Sequence, residues 1–91
     1  MNLIYRLHAI ERMFERKINE DNVNRILIEG KIIEEYKNDQ PYPSKLILGF
    51  IDKRPIHILA AENFAENQTI IITVYEPDKM KWDEKFERRI K

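Results

Sequence analysis

Residues 7–30 read LHAIERMFERKINEDNVNRILIEG, and two amphipathic helices can be traced in them. Leu7, Ile10, Phe14 and Ile18 recur at helical spacing, and on a wheel of about 100° per residue they form one stripe with Met13 at its edge. The spacing predicts a first helix that buries this stripe. Asn19 suits an N-cap, Glu20 and Asp21 complement the positive end of the next helix, and Ile18 can staple to Val23 across the cap. A second helix is expected to run through Val23, Ile26 and Leu27, with Gly30 as the left-handed residue that ends it. The pair reads as a tight N-terminal helical hairpin.

Beyond Gly30 the period changes from helical to extended. Runs rich in β-branched and aromatic residues predict four strands near 31–36, 45–51, 55–63 and 69–75, separated by turn-forming segments at 39–44, 52–54 and 65–68. The two later connectors are short enough for hairpins, so the last three strands read as an antiparallel meander. Ile70, Ile72 and Val74 alternate with Thr69, Ile71 and Thr73, while Ile56, Ile58 and Ala60 alternate with His57, Leu59 and Ala61. Apolar residues on both faces suit central strands, one face covered by the helices and the other by something smaller. Pro77 breaks the last strand, and 82–90 reads as a short charged helix or an ordered tail anchored by Trp82 and Phe86. The expected fold class is α+β: a helical hairpin packed on a four-stranded, mostly antiparallel twisted sheet.

Composition narrows the functional classes. A chain of 91 residues suits one domain, 1–91, and its 43% hydrophobic content fills a single core. No run reaches the ~20 apolar residues of a membrane span, and 1–6 lacks the pattern of a secretory signal, so a cytoplasmic location is expected. Cysteine is absent, which removes disulfides, thiolate nucleophiles and cysteine-based zinc sites. The two histidines lie far apart in sequence and give no support to a metal site. Sixteen basic and sixteen acidic side chains cancel, so any nucleic-acid site must be a local patch.

On the first helix, His8, Arg12 and Arg16 are spaced i, i+4, i+8 beside Glu11 and Glu15, on the surface opposite the expected buried stripe. This ridge has two readings. One is a solvated charge lattice, with Glu15 pairing Arg12 for a few tenths of a kcal/mol. The other is an anion site, in which the like charges Arg12 and Arg16 share an incoming phosphate. His57 is either a hydrogen-bonded structural imidazole or a general acid or base, since imidazole titrates near neutral pH. Ser44 and Lys45 offer a hydroxyl and an ammonium at the mouth of a strand, or simply end a turn. The tail interleaves five basic residues with Trp82 and Phe86, but Asp78, Asp83, Glu84 and Glu87 balance them. There is no glycine-rich phosphate loop, nucleophile elbow or two-histidine helix motif. Chemistry without cofactor, metal or thiol remains, and metal-independent RNA cleavage is such a chemistry: the 2′-hydroxyl of the substrate attacks phosphorus, and the protein supplies a base, an acid and cations.

The combination His8-Ala9-x-x-Arg12-Met13-x-x-Arg16-x-Ile18, Ile33-Glu34-x-Tyr36, Asp39-x-Pro41-x-Pro43-Ser44, Leu46-x-Leu48-Gly49, Pro55-x-His57 and Ile71-x-Thr73-x-Tyr75-x-Pro77, followed by Trp82, resembles an uncharacterised bacterial and archaeal family. It is the family numbered four-two-five-eight among the domains of unknown function, and the resemblance runs nearly the full chain. Members are similar to small RNA-cleaving toxins of the RelE-like and MqsR-like group and are often encoded beside a small zinc-finger protein. The resemblance therefore implies a RelE-like fold and the toxin of a type II toxin-antitoxin system, with a zinc-finger antitoxin as partner. It carries over His8, Arg12, Arg16, Ser44, His57 and Tyr75 as the polar motif positions. The neutral net charge departs from the basic character of many such toxins and suits RNA presented on the ribosome.

Two functions follow as expectations. In the first, the chain is a metal-independent endoribonuclease acting on mRNA. His8 or His57 exchanges protons with the 2′-hydroxyl and the leaving oxygen, Arg12 and Arg16 neutralise phosphate with Ser44 and Lys45 beside them, and Tyr75 stacks a base or donates a proton. In the second, it is a non-catalytic protein-binding module that pairs through a strand edge or the tail.

Overall fold

The computed structural model describes residues 2–90. In chain order the elements are β1 (Asn2–Tyr5), α1 (Leu7–Arg16), α2 (Glu20–Glu29), β2 (Lys31–Tyr36), β3 (Ser44–Ile51), β4 (Arg54–Asn63) and β5 (Gln68–Tyr75). The strands form a single five-stranded sheet in the order β1-β5-β4-β3-β2. β1 runs parallel to β5, and the other neighbours are antiparallel. The expected N-terminal helical hairpin on a four-stranded, mostly antiparallel, RelE-like sheet is thereby corrected. A strand precedes the helices and converts the sheet to a five-stranded mixed one. Its partner lies 66 residues further along the chain, with Asn2 opposite Gln68 and Tyr5 opposite Ile71, so no local pattern announces it.

The helices pack chiefly on strands: α1 on β5 and α2 on β3. Their local chemistry explains their ends. Asn19 accepts from the Asn22 backbone N–H at 2.8 Å while the Asn22 side chain accepts from the Asn19 N–H at 3.0 Å, a reciprocal capping box. Lys17, in the left-handed region at φ 56°, closes α1 through bonds to the Met13 and Phe14 carbonyls. Gly30 ends α2 differently from expectation, in extended backbone at φ −71°. Glycine is needed there for space, because a Cβ would lie 2.4 Å from the Ile26 carbonyl oxygen and 2.8 Å from that of Leu48.

The rotation of α1 is also corrected. Leu7, Ile10 and Phe14 are 72%, 50% and 87% exposed, whereas Ala9 and Met13 are buried. The chain enters α1 directly from β1, with the Arg6 N–H bonded to the Ile71 carbonyl at 3.0 Å, and this turn leaves Ala9 facing the sheet. Its small side chain permits close approach to β5, and the bulkier stripe is left outside. The core joins Ala9, Met13, Ile18, Val23 and Ile26 to Ile47, Ile56, Ile58, Ala60, Ile71 and Val74. Each fully buried aliphatic side chain contributes about 1.5–3 kcal/mol. Gly49 lets α2 descend onto β3, since a Cβ there would sit 2.5 Å from Ile26 Cγ1.

Register sorts the strand residues by face, because directly opposed residues point the same way. Ile47 opposite Ile58, and Ile58 opposite Val74, lie under the helices. Tyr36 opposite Ser44, Glu34 opposite Leu46, Leu48 opposite His57, and His57 opposite Tyr75 lie on the distal face. The segment 78–90 covers part of that face as an ordered tail, with an antiparallel bridge between Trp82 and Arg89. Among the described residues it forms no helix, and no helix of the structure is long and apolar enough to cross a membrane.

Candidate functional site on the distal sheet face

The distal face has a covered half and an open half. At the centre of the covered half stands His57, fully buried on the strand at the middle of the sheet. Its Nε2 lies 2.7 Å from the Phe86 carbonyl oxygen and its Nδ1 lies 3.1 Å from the Tyr75 hydroxyl. A carbonyl only accepts, so Nε2 carries the proton and donates to it, and the Tyr75 O–H donates to Nδ1. Burial holds the His57 pKa below its ordinary value; the Phe86 carbonyl opposes that shift, and the Arg89 charge adds to it. Trp82 meets the imidazole edge-on at 4.4 Å between centroids, and Tyr75 at 5.2 Å. Burial also raises the Tyr75 hydroxyl. Next to them Tyr36 donates to the Glu34 carboxylate, and its own pKa is raised by burial and by that carboxylate.

The open half is a cleft of about 450 Å³ at the other end of the same face. Arg6 and His8, at the junction of β1 and α1, form one wall, and the loop bearing Asp39 and Tyr42 forms the other. Ala61, Ile70 and Ile72 make the floor. The second wall is braced from within the sheet: the Ser44 hydroxyl donates to Asp39 Oδ2 at 2.5 Å, and Asn63 Nδ2 donates to the Tyr42 hydroxyl at 3.0 Å. Residues bearing an imidazole, a guanidinium, a carboxylate and a phenol thus line one space together with apolar Ala61, Ile70 and Ile72.

The residues singled out by sequence scatter over these places. His8 opens into the cleft. Arg12 pairs with Glu15 at 3.4 Å, the solvated lattice of the plain reading. Arg16 is exposed at the far end of α1, where its carbonyl accepts from Arg54 Nη2 at 2.6 Å. His57 and Tyr75 come together as a hydrogen-bonded pair, but under the tail. Ser44 is buried and engaged with Asp39, bracing the cleft. Lys45 lies on the opposite face, opposed to Ala60 and paired with Glu62 at 3.5 Å. Among the described residues, the ridge and the His57–Tyr75 pair share no hydrogen bond or ring contact, and no three His, Asp or Glu side chains gather to hold a metal ion. Arg6, Asp39, Glu34 and Tyr36 went unpredicted as site residues. The signal for the last two was present in Glu34-x-Tyr36, whose alternate spacing puts both on one strand face.

Fold and site together define a small α+β domain whose mixed sheet turns a polar, histidine-bearing face away from its helices. The family profile described as a domain of unknown function, DUF4258, matches residues 5–76, and the chain belongs to that family. Searches among curated proteins and among solved structures return no significant match.

Proposed function

We propose that this domain is the toxin of a toxin-antitoxin pair, a metal-independent endoribonuclease acting on mRNA, functionally akin to the RelE-like and MqsR-like toxins and restrained by a small zinc-finger antitoxin. The observation that carries the reading is the open cleft, where Arg6 and His8 face Asp39 and Tyr42 over an apolar floor. A single-stranded nucleotide needs those features: a cation for its phosphate, a proton-exchanging group beside the 2′-hydroxyl, and a flat ring for its base. In the reaction, neutral His8 takes the 2′-hydroxyl proton as O2′ attacks phosphorus. The bond from phosphorus to the 5′-oxygen breaks, a 2′,3′-cyclic phosphate forms, and the imidazolium returns the proton to the leaving oxygen. Arg6 neutralises the phosphorane, and Tyr42 stacks a base.

The test is cleavage of a single-stranded oligoribonucleotide by the full chain, alone and with ribosomes, together with growth after induced expression. His8→Ala is expected to lower cleavage about 100-fold or more. A folded wild type that leaves RNA intact and growth unimpaired would sink the reading. One observation favours a second reading, a protein-binding module: Leu7, Ile10 and Phe14 form an exposed apolar stripe on α1. In that case Phe14→Glu would abolish partner capture and His8→Ala would leave it intact.

A further inference from the structure

The segment 78–90 is built as a unit separate from the sheet it covers. Among the described residues its backbone hydrogen bonds are internal: Trp82 N–H to the Asp78 carbonyl at 3.1 Å, Asp83 to Arg88 at 2.9 Å, Phe86 to Asp83 at 3.0 Å, and Ile90 to Lys81 at 2.9 Å. The Asp83 carboxylate adds bonds from the Lys85 and Glu87 N–H groups, which hold its pKa below the usual range. Strands of the sheet are held by ladders of backbone bonds, but this segment is held to the sheet by side chains. Trp82, 4% exposed, packs on His57. The Phe86 carbonyl accepts from His57. Lys31 Nζ pairs with Glu87 Oε1 at 3.0 Å, and Arg89 lies 3.9 Å from the Glu34 carboxylate and 4.7 Å from the centroid of the Trp82 ring. Such a unit can leave the sheet with its own hydrogen bonds intact.

The face it shares is mixed. Leu46 and Leu48, 2% and 5% exposed, stand among Glu34, Tyr36, His57 and Tyr75, four chemically active side chains, and the cover supplies polar partners to His57 and Glu34 as their burial requires. The family profile spans residues 5–76, so Glu34, Tyr36, His57 and Tyr75 all lie within the matched region. The cover meets His57 with two kinds of group that a nucleobase also carries: an aromatic ring set edge-to-face against the imidazole and a carbonyl oxygen that receives its N–H.

We propose that 78–90 is an autoinhibitory strap that occupies the second half of an RNA-binding face, and that its release joins Glu34, Tyr36, His57 and Tyr75 to the cleft at His8. The proposal rests on the ribonuclease reading above. With the strap closed, RNA reaches the cleft alone; with it open, a second nucleotide stacks where Trp82 sits. Apparent affinity then scales with the open fraction, so a given change in the closed-to-open ratio appears as the same factor in binding.

The experiment uses the full chain and a fluorescein-labelled single-stranded oligoribonucleotide. Lys31→Glu sets a carboxylate against Glu87 on an exposed surface, which loosens the strap without touching the core. It is expected to shift Trp82 emission to the red and to tighten RNA binding about threefold to tenfold, although it makes the protein more acidic and weakens general attraction to RNA. Lys31→Glu/Glu87→Lys restores the pair and should return emission and affinity to wild-type values. Trp82→Ala, which removes the anchor, should tighten binding at least as much as Lys31→Glu. Red-shifted emission with unchanged affinity overturns the strap and leaves the ribonuclease reading standing. Absence of binding by the wild type and by both loosened variants overturns the two together.

Discussion

Acidification from pH 7.5 to 5.5 should destabilise this protein through one side chain. His57 is fully buried, its Nε2–H is given to the Phe86 carbonyl and its Nδ1 accepts from Tyr75, so the fold is built around neutral imidazole. Burial lowers its pKa in the folded state, while the unfolded chain titrates near the ordinary value of about 6.5. Below that value the unfolded state binds a proton that the folded state refuses. The contribution is therefore fully present above pH ~6.5 and is lost as pH falls toward the folded pKa. Each pH unit inside the window costs up to about 1.4 kcal/mol. Across one unit, at roughly 4–8 °C per kcal/mol for a domain of this size, Tm falls by up to about 10 °C. Calorimetry of the wild type and His57→Gln at pH 7.5, 6.5 and 5.5 measures it. Glutamine keeps a donor and an acceptor and has no proton to exchange, so its Tm should be nearly flat. Unperturbed carboxylates titrate near 3.9–4.3, below the window. Parallel Tm curves for the two proteins would refute the argument.

Two further outcomes test the packing. Gly49→Ala should destabilise by about 1–3 kcal/mol in chemical denaturation, because its methyl meets Ile26 Cγ1 at 2.5 Å and Ile26 is itself locked in the core. Phe14→Ser should change stability by no more than about 0.5 kcal/mol in the same assay, since the ring is 87% exposed; a loss of several kcal/mol would mean that the stripe is buried after all.

The candidate site was only partly legible. His8, Arg12 and Arg16 share a helix ridge by spacing alone, yet they meet different fates. His8 sits at the cleft wall, Arg12 is neutralised by Glu15, and Arg16 is exposed at the far end of the helix. Spacing shows which side chains align on one element. It is silent about the loop that comes to face them, and Asp39 and Tyr42 arrive from 31 or more residues along the chain. Ser44 and Lys45 illustrate the same limit from the other side. They are neighbours in sequence, but the two-residue period of a strand sends them to opposite faces.

Local chemistry alone determined the cap at Asn19, the four later strands and the break at Pro77, because propensity, capping and period act over a few residues. Tertiary structure decided everything that depends on a distant partner. β1 is too short to declare itself and exists through its parallel pairing with β5, a strand 66 residues away in sequence. The rotation of α1 was ambiguous because that helix carries two apolar stripes, and the β1 connection chose Ala9 and Met13 over Leu7, Ile10 and Phe14. The state of His57 was decided by which face of β4 the tail came to cover. Alternation guarantees that a strand has two faces, and only packing assigns one of them to the helices and the other to the strap.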